Sequence, residues 1–132
     1  MRKVIVIKNE QHQFLPEQLE QLNKRFGVGS WEDYPVPADG WTKSQMDSVI
    51  TEIANNRVET VVFLSPIPYL IKMISVDLGL NYAAQDSNEN INFGNTTVVK
   101  EVLVFHNDRR VKKELPNGKV ISVTAQDGWE LV

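Results

Sequence analysis

Val61-Val62-Phe63-Leu64-Ser65-Pro66-Ile67-Pro68-Tyr69 is an apolar run that stops at a serine, passes two prolines and gives way to a helical pattern. Four apolar residues with no polar alternate describe a strand buried on both faces, the kind found inside a parallel sheet covered by helices. The loop after it feeds a helix start, where unpaired backbone N–H groups suit an anion. Val4-Ile5-Val6-Ile7 is a second run of the same type. Two strands of this kind, separated by helical spacing, point to an α/β fold.

Between them, Leu15, Leu19, Leu22 and Phe26 recur at helical spacing, with Pro16 in the first turn and Gly27 as a stop. Trp31, Tyr34 and Val36, bounded by Pro35 and Pro37, mark a more polar strand whose composition suits a sheet edge. After Asp39-Gly40 a second helix carries Met46, Val49, Ile50 and Ile53 on one face, with Thr42 or Ser44 as its cap. A third helix is expected from Pro66 to Leu78, followed by Gly79. Two apolar strands and one polar strand predict the spatial order second, first, third. Right-handed crossovers then place helices on both faces of a three-layer, Rossmann-like α/β domain with a largely parallel sheet. Ligands of such sheets sit at the carboxyl ends of the strands where the chain reverses direction. The loops there are Lys8 to Gln13 and Ser65 to Tyr69.

At 132 residues the chain reads as one domain. Its βαβαβα core spans 1–80, a polar loop rich in Asn, Asp, Gln and Ser spans 81–97, and a strand plus β-hairpin extension fills 98–132. The strand is expected over Val98 to Phe105. The hairpin pairs Arg110 to Leu115 with Lys119 to Thr124 across Pro116-Asn117-Gly118, because Asn-Gly accepts the positive φ of tight turns. Trp129 to Val132 reads as a short terminal strand.

A net charge of -3 gives no electrostatic footprint for long duplex nucleic acid, although a local patch can oppose the net sign. The absence of cysteine excludes disulfides and thiolate metal sites. No run approaches the roughly 18 apolar residues of a membrane span, so a cytoplasmic protein without membrane contact is expected. There is no Walker-type phosphate loop, and Gly27 and Gly29 follow a helix instead of a strand, so they make no dinucleotide fingerprint. The two histidines form no metal-binding motif, and neither metal nor cofactor is expected.

His12, beside Asn9, Gln11 and Gln13, is a candidate acid, base or phosphate donor, set against a plain solvated loop histidine. Ser65 is placed to bond a phosphate, to cap the third helix, or both. Lys43, after the second strand, either reaches an anion at the same edge or belongs to a solvated first turn. His106-Asn107-Asp108-Arg109-Arg110 reads as a polar turn at the hairpin. The third helix is apolar nearly all round: Ile67, Leu70, Ile71, Met73, Ile74, Val76 and Leu78 leave only a stripe of Tyr69, Lys72, Ser75 and Asp77. Such a helix is buried on more than one side, under either a second subunit or the C-terminal hairpin.

The first strand followed by Asn9 to Gln13 and Leu15-Pro16-Glu17-Gln18-Leu19, with Leu64-Ser65-Pro66-Ile67-Pro68 leading into an apolar helix, resembles the small CRISPR-associated Rossmann-like proteins of type III systems. These CARF-like proteins, ring nucleases and sponges, bind or degrade cyclic oligoadenylate second messengers. The resemblance covers roughly residues 2–80 and lies in layout. It implies a homodimer with the ligand across it, contacted here by Asn9, Gln11, His12, Gln13, Ser65, Pro66, Ile67 and Tyr69; Lys43 joins them as a candidate only from its place after the second strand. If bonds are broken, it implies metal-independent attack of a ribose 2′-hydroxyl on the adjacent phosphate, with His12 as acid or base. The chain departs from that family in lacking a glycine after Ser65 and in its C-terminal hairpin. The alternative from another class is a non-catalytic protein of a phage or mobile element that docks on a host partner.

Overall fold

A computed structural model describes residues 1–75, 99–107, 109–125 and 127–132. The expected polar loop over 81–97 and the helix end from Val76 to Gly79 lie outside the described residues, as do Val98 and Asp108. The sheet is built on β1 (Val4–Asn9), which pairs in parallel with β2 (Trp31–Val36) on one side and β3 (Thr60–Phe63) on the other. β4 (Glu101–His106) runs parallel to β3, and the two-residue β7 (Glu130–Leu131) closes the far edge antiparallel to β4. The order β2-β1-β3-β4-β7 contains the expected second-first-third arrangement. The protein is thus an α/β fold with a mostly parallel five-stranded sheet.

Among the described residues three helices accompany it: α1 (Pro16–Phe26), α2 (Lys43–Asn55) and α3, described over 68–75. Strand alternation divides the core between them. Ile5, Ile7, Val61 and Phe63 pack with Val49 and Ile53 of α2 and Leu70 and Ile74 of α3. Val6, Val62, Leu103 and Phe105 pack with Leu22 of α1. Ile5, Val6, Ile7, Val61, Val62 and Phe63 are all fully buried, which is what an uninterrupted apolar strand records. Each such side chain stabilises the fold by about 1.5–3 kcal/mol relative to exposure.

Local chemistry sets the ends. Gly27, at φ 94°, stops α1, and Gln18 Oε1 accepts the Leu15 N–H at 3.0 Å at its start. Thr42 is the cap of α2: its hydroxyl accepts the Gln45 N–H (3.2 Å) while Gln45 Oε1 accepts the Thr42 N–H (2.8 Å). α3 starts at residue 68 and not at Pro66. A residue that precedes proline is kept out of helical backbone, so Ile67 stays outside and Pro68 takes the first turn. β1 runs two residues past its apolar run, because Lys8 and Asn9 still pair with Pro35 and Val36. β4 starts three residues later than expected, since its partner β3 begins only at Thr60, opposite Glu101.

Val36 O accepts the Glu10 N–H at 2.8 Å, so Val36 faces β1 and, by alternation, Pro35 faces outward. The free edge of β2 therefore lacks one donor, which protects it from further pairing. β5 (Arg110–Glu114) and β6 (Val120–Thr124) form the expected antiparallel hairpin as a separate sheet, turning at Gly118 (φ 82°). Its base is pinned by buried Asn107, whose Nδ2 donates to Ala125 O (3.0 Å) and Asp127 O (2.8 Å) and whose Oδ1 accepts the Arg109 N–H (2.9 Å). Among the described residues no helix is long and apolar enough to cross a membrane.

Candidate functional site

β1 and β3 end side by side at the point where the chain reverses across the sheet. The Leu64 and Ser65 N–H groups both donate to Ile7 O (2.9 and 3.3 Å), which draws Ser65 against the end of β1. Ser65 is buried, and its Oγ accepts the Asn9 N–H at 3.0 Å and lies 2.9 Å from His12 Nδ1. The loop that carries His12 folds on Asn9: Asn9 O accepts the His12 N–H (2.9 Å) and Asn9 Oδ1 accepts the Gln11 N–H (2.9 Å). A hydroxyl has one proton and two acceptor sites. With one site taken by Asn9, Ser65 either donates its proton to a bare Nδ1 or accepts from a protonated one, so it orients the exposed imidazole in both states.

Lys8 braces this loop from the opposite face of β1. The side chain alternates toward the α1 side, where its ammonium lies 5.3 Å from the centre of the Phe14 ring. Its Nζ donates to His12 O (2.7 Å) and Asn9 O (3.4 Å) and lies 3.8 Å from an Asp33 carboxylate oxygen. Burial pushes the Asp33 carboxyl above its ordinary value, against the lowering influence of Lys8. The loop conformation is thus held by a buried cation and not by the loop's own side chains alone.

A cleft of about 350 Å³ opens at these strand ends. One wall is Asn9, His12, Ser65, Pro66, Ile67 and Pro68, and the other is Val36, Gly40, Trp41 and Met46. Trp41 is fixed edge-on against Tyr34 (5.8 Å between ring centres), and the Tyr34 hydroxyl donates to Glu52 at 2.8 Å. Burial and the Glu52 carboxylate raise the Tyr34 phenol, so it stays a donor. The result is an apolar, aromatic wall facing a small cluster of hydrogen-bonding groups, a usual composition for a small-molecule site. A second, more open depression of about 390 Å³ is lined by Gln21, Lys24, Arg25 and Leu131 and gathers no such cluster.

Of the residues singled out from sequence, the structure brings Asn9, His12, Ser65, Pro66 and Ile67 to the cleft. Gln11 and Gln13 are exposed in the loop. Lys43 and Tyr69 meet each other instead: the Lys43 ammonium lies 5.6 Å from the Tyr69 ring centre, and the Tyr69 hydroxyl donates to Asp47 at 2.8 Å. The Asp47 carboxylate raises the Tyr69 phenol from its ordinary value. Sequence reasoning missed Trp41, Met46 and Val36. Their signal is positional: β2 neighbours β1, so the end of β2, the loop after it and the start of α2 fall at the same sheet edge. Among the described residues no group of three or more His, Asp or Glu side chains is gathered. No family model, curated protein or solved structure matches the chain.

Proposed function

We propose that the cleft binds a small nucleotide, with a cyclic oligoadenylate as the specific ligand, in a three-layer Rossmann-like domain that acts as a homodimer. The observation that carries this reading is the convergence of Asn9, His12 and Ser65 opposite Trp41 in one cleft. An adenine has the flat, apolar faces that pack on Trp41 and Met46, while its ribose and phosphate need the donors and acceptors of the other wall. A volume of about 350 Å³ suits one nucleotide unit. A ring of several adenylates would overfill one cleft, and two copies facing each other would share it.

Cleavage, where it occurs, follows from the ligand's own 2′-hydroxyl. The 2′-oxygen attacks the adjacent phosphorus, the P–O5′ bond breaks, and a 2′,3′-cyclic phosphate and a 5′-hydroxyl result. His12 takes the proton from the 2′-hydroxyl or supplies one to the departing oxygen, and Ser65 sets the direction of the imidazole. Without productive alignment of that hydroxyl the same cleft sequesters the messenger. The interaction-protein reading draws support from the hairpin, whose side chains are almost all exposed.

Calorimetric titration with cyclic oligoadenylates of several ring sizes, linear oligoadenylates and mononucleotides tests the reading. At least one cyclic species is expected to bind well below millimolar, and Ser65→Ala to weaken it by about 0.5–2 kcal/mol. His12→Ala is expected to slow any turnover on the order of a hundredfold while sparing binding. No heat with any nucleotide would overturn the proposal.

A further inference from the structure

We infer that the β5–β6 hairpin is a basic docking arm whose partner is the acidic β2–α2 edge of a second copy of this chain. Between Arg109 and Thr124 lie five cations, Arg109, Arg110, Lys112, Lys113 and Lys119, against one carboxylate, Glu114. With -3 on the whole chain, this surplus of four leaves -7 on the remainder. The acid is not evenly spread. From Trp31 to Asn55 there are five carboxylates, Glu32, Asp33, Asp39, Asp47 and Glu52, against the single cation Lys43. A net +4 arm therefore has a net -4 counterpart; within the chain Arg109 already pairs with Asp127 and Asp33 with Lys8, which leaves Arg110, Lys112, Lys113 and Lys119 on one side and Glu32, Asp39, Asp47 and Glu52 on the other.

Within one chain the two are kept apart. The arm leaves the sheet between β4 and β7, at the edge opposite β2. The arm forms its own two-stranded sheet and contributes nothing to either core cluster. A lone two-stranded hairpin is marginal in water, so an arm of this kind calls for a surface to lie on.

The chemistry of the arm selects protein over nucleic acid as that surface. The register sets Val111 opposite Val123 and Lys113 opposite Ile121, so one face is both apolar and basic. Val111 and Ile121 are 46% and 39% exposed. A phosphate backbone would pair the lysines but leave the valines and isoleucine in water, and the -7 remainder would repel it. A second copy supplies carboxylates beside the exposed Pro35 of its outer strand and the exposed Pro37 that follows it, and the contact is reciprocal, arm to edge and edge to arm, as two-fold symmetry requires. The inference rests on the homodimer part of the proposed function and is independent of what the cleft binds.

Charge exchange tests it. Sedimentation of the parent at micromolar concentration is expected to give two chains at low salt, with dissociation favoured as salt rises. Lys113→Glu with Lys119→Glu, on the face that carries Val111 and Ile121, brings the arm from +4 to neutral, and Glu32→Lys with Asp39→Lys brings the edge from -4 to neutral. Each double variant alone is expected to self-associate at least about tenfold more weakly than the parent. Mixed in equal amounts they are expected to pair, since the +4 arm of the edge variant then meets the -4 edge of the arm variant. A dimer that persists unchanged in either variant overturns the arm as its cause while leaving the homodimer standing. A parent that is monomeric at every concentration and salt overturns both. A monomer that instead binds single-stranded oligonucleotide through Lys113 and Lys119 overturns the choice of partner.

Discussion

Ser65→Ala removes one oxygen from the centre of the proposed site, and its cost follows from two hydrogen bonds. Ser65 is 7% exposed, and its Oγ accepts the Asn9 N–H at 3.0 Å and meets His12 Nδ1 at 2.9 Å. Alanine leaves the half-buried Asn9 N–H without an acceptor, which costs about 1–2 kcal/mol. The exposed imidazole recovers water in place of the hydroxyl, so its share is a few tenths of a kcal/mol. For a chain of 132 residues the sum lowers Tm by roughly 3–10 °C. His12→Ala keeps the Asn9 hydrogen bond and is expected to cost about 0.5 kcal/mol or less. The double variant is then expected to be no less stable than Ser65→Ala alone, because without the Ser65 hydroxyl the imidazole makes only hydrogen bonds to water, which the unfolded chain makes as well. Urea denaturation of the four proteins, with m unchanged, measures the cycle. A Ser65→Ala protein indistinguishable from the parent, or strictly additive substitutions, would refute the hydrogen-bonded cluster.

Gly118→Val forces a β-branched residue into φ 82° at the hairpin turn and is expected to cost about 1 kcal/mol or more. Because the hairpin is its own sheet, the loss should appear as faster hydrogen exchange in β5 and β6 with the core amides unchanged; uniform protection would contradict the turn. Ile74→Glu buries a carboxylate where Ile74 is fully enclosed by its own chain, so global destabilisation on the order of 4 kcal/mol is expected in thermal unfolding, and a parent-like Tm would contradict the packing of α3. Glu59 lies 3.3 Å from the Lys100 ammonium and 3.6 Å from that of Lys3, and these cations, Lys100 foremost, hold its carboxyl below the ordinary glutamate value. A lowered folded-state pKa gives stability that is present above the ordinary value and is lost as pH falls through the lowered one. Glu59→Gln has none of it to lose, so its stability is expected to fall less steeply on acidification, and parallel pH profiles would contradict the clamp.

The elements legible in the sequence were those fixed by local covalent and packing constraints. Val61 to Leu64 announced burial on both faces because no polar residue interrupts them; Val61, Val62 and Phe63 are fully buried, whereas Leu64 is only half-buried because β3 ends at Phe63. Gly27 and Asn117-Gly118 announced a helix stop and a turn because few other residues accept those backbone angles. The position of the cleft followed from strand order alone. Side-chain direction was less legible. Lys8 reads in sequence as the first polar residue of a loop, yet strand pairing with Pro35 continues β1 through it and turns its ammonium under the loop. Trp41 becomes a cleft wall only because β2 lies next to β1, a tertiary fact. The apolar surplus of the third helix suggested cover by a second subunit or by the C-terminal hairpin; among its described residues Leu70 and Ile74 are fully buried in the α2-side core, so that part of the surplus is used within the chain. The hairpin instead carries exposed apolar residues, Val111, Val120 and Ile121.

The most direct measurement is a nitrogen–proton correlation spectrum of the isotope-labelled protein titrated with cyclic oligoadenylates. The indole N–H of Trp41 and the backbone amides of Asn9, His12 and Ser65 report on the two walls of the cleft independently. The expected result is saturable shifts at these positions with one cyclic species, while the indole N–H groups of Trp31 and Trp129, which pack on the α1 side, stay in place. Spectra unchanged at millimolar ligand, or shifts confined to the hairpin, would contradict the claim that this cleft is a nucleotide site.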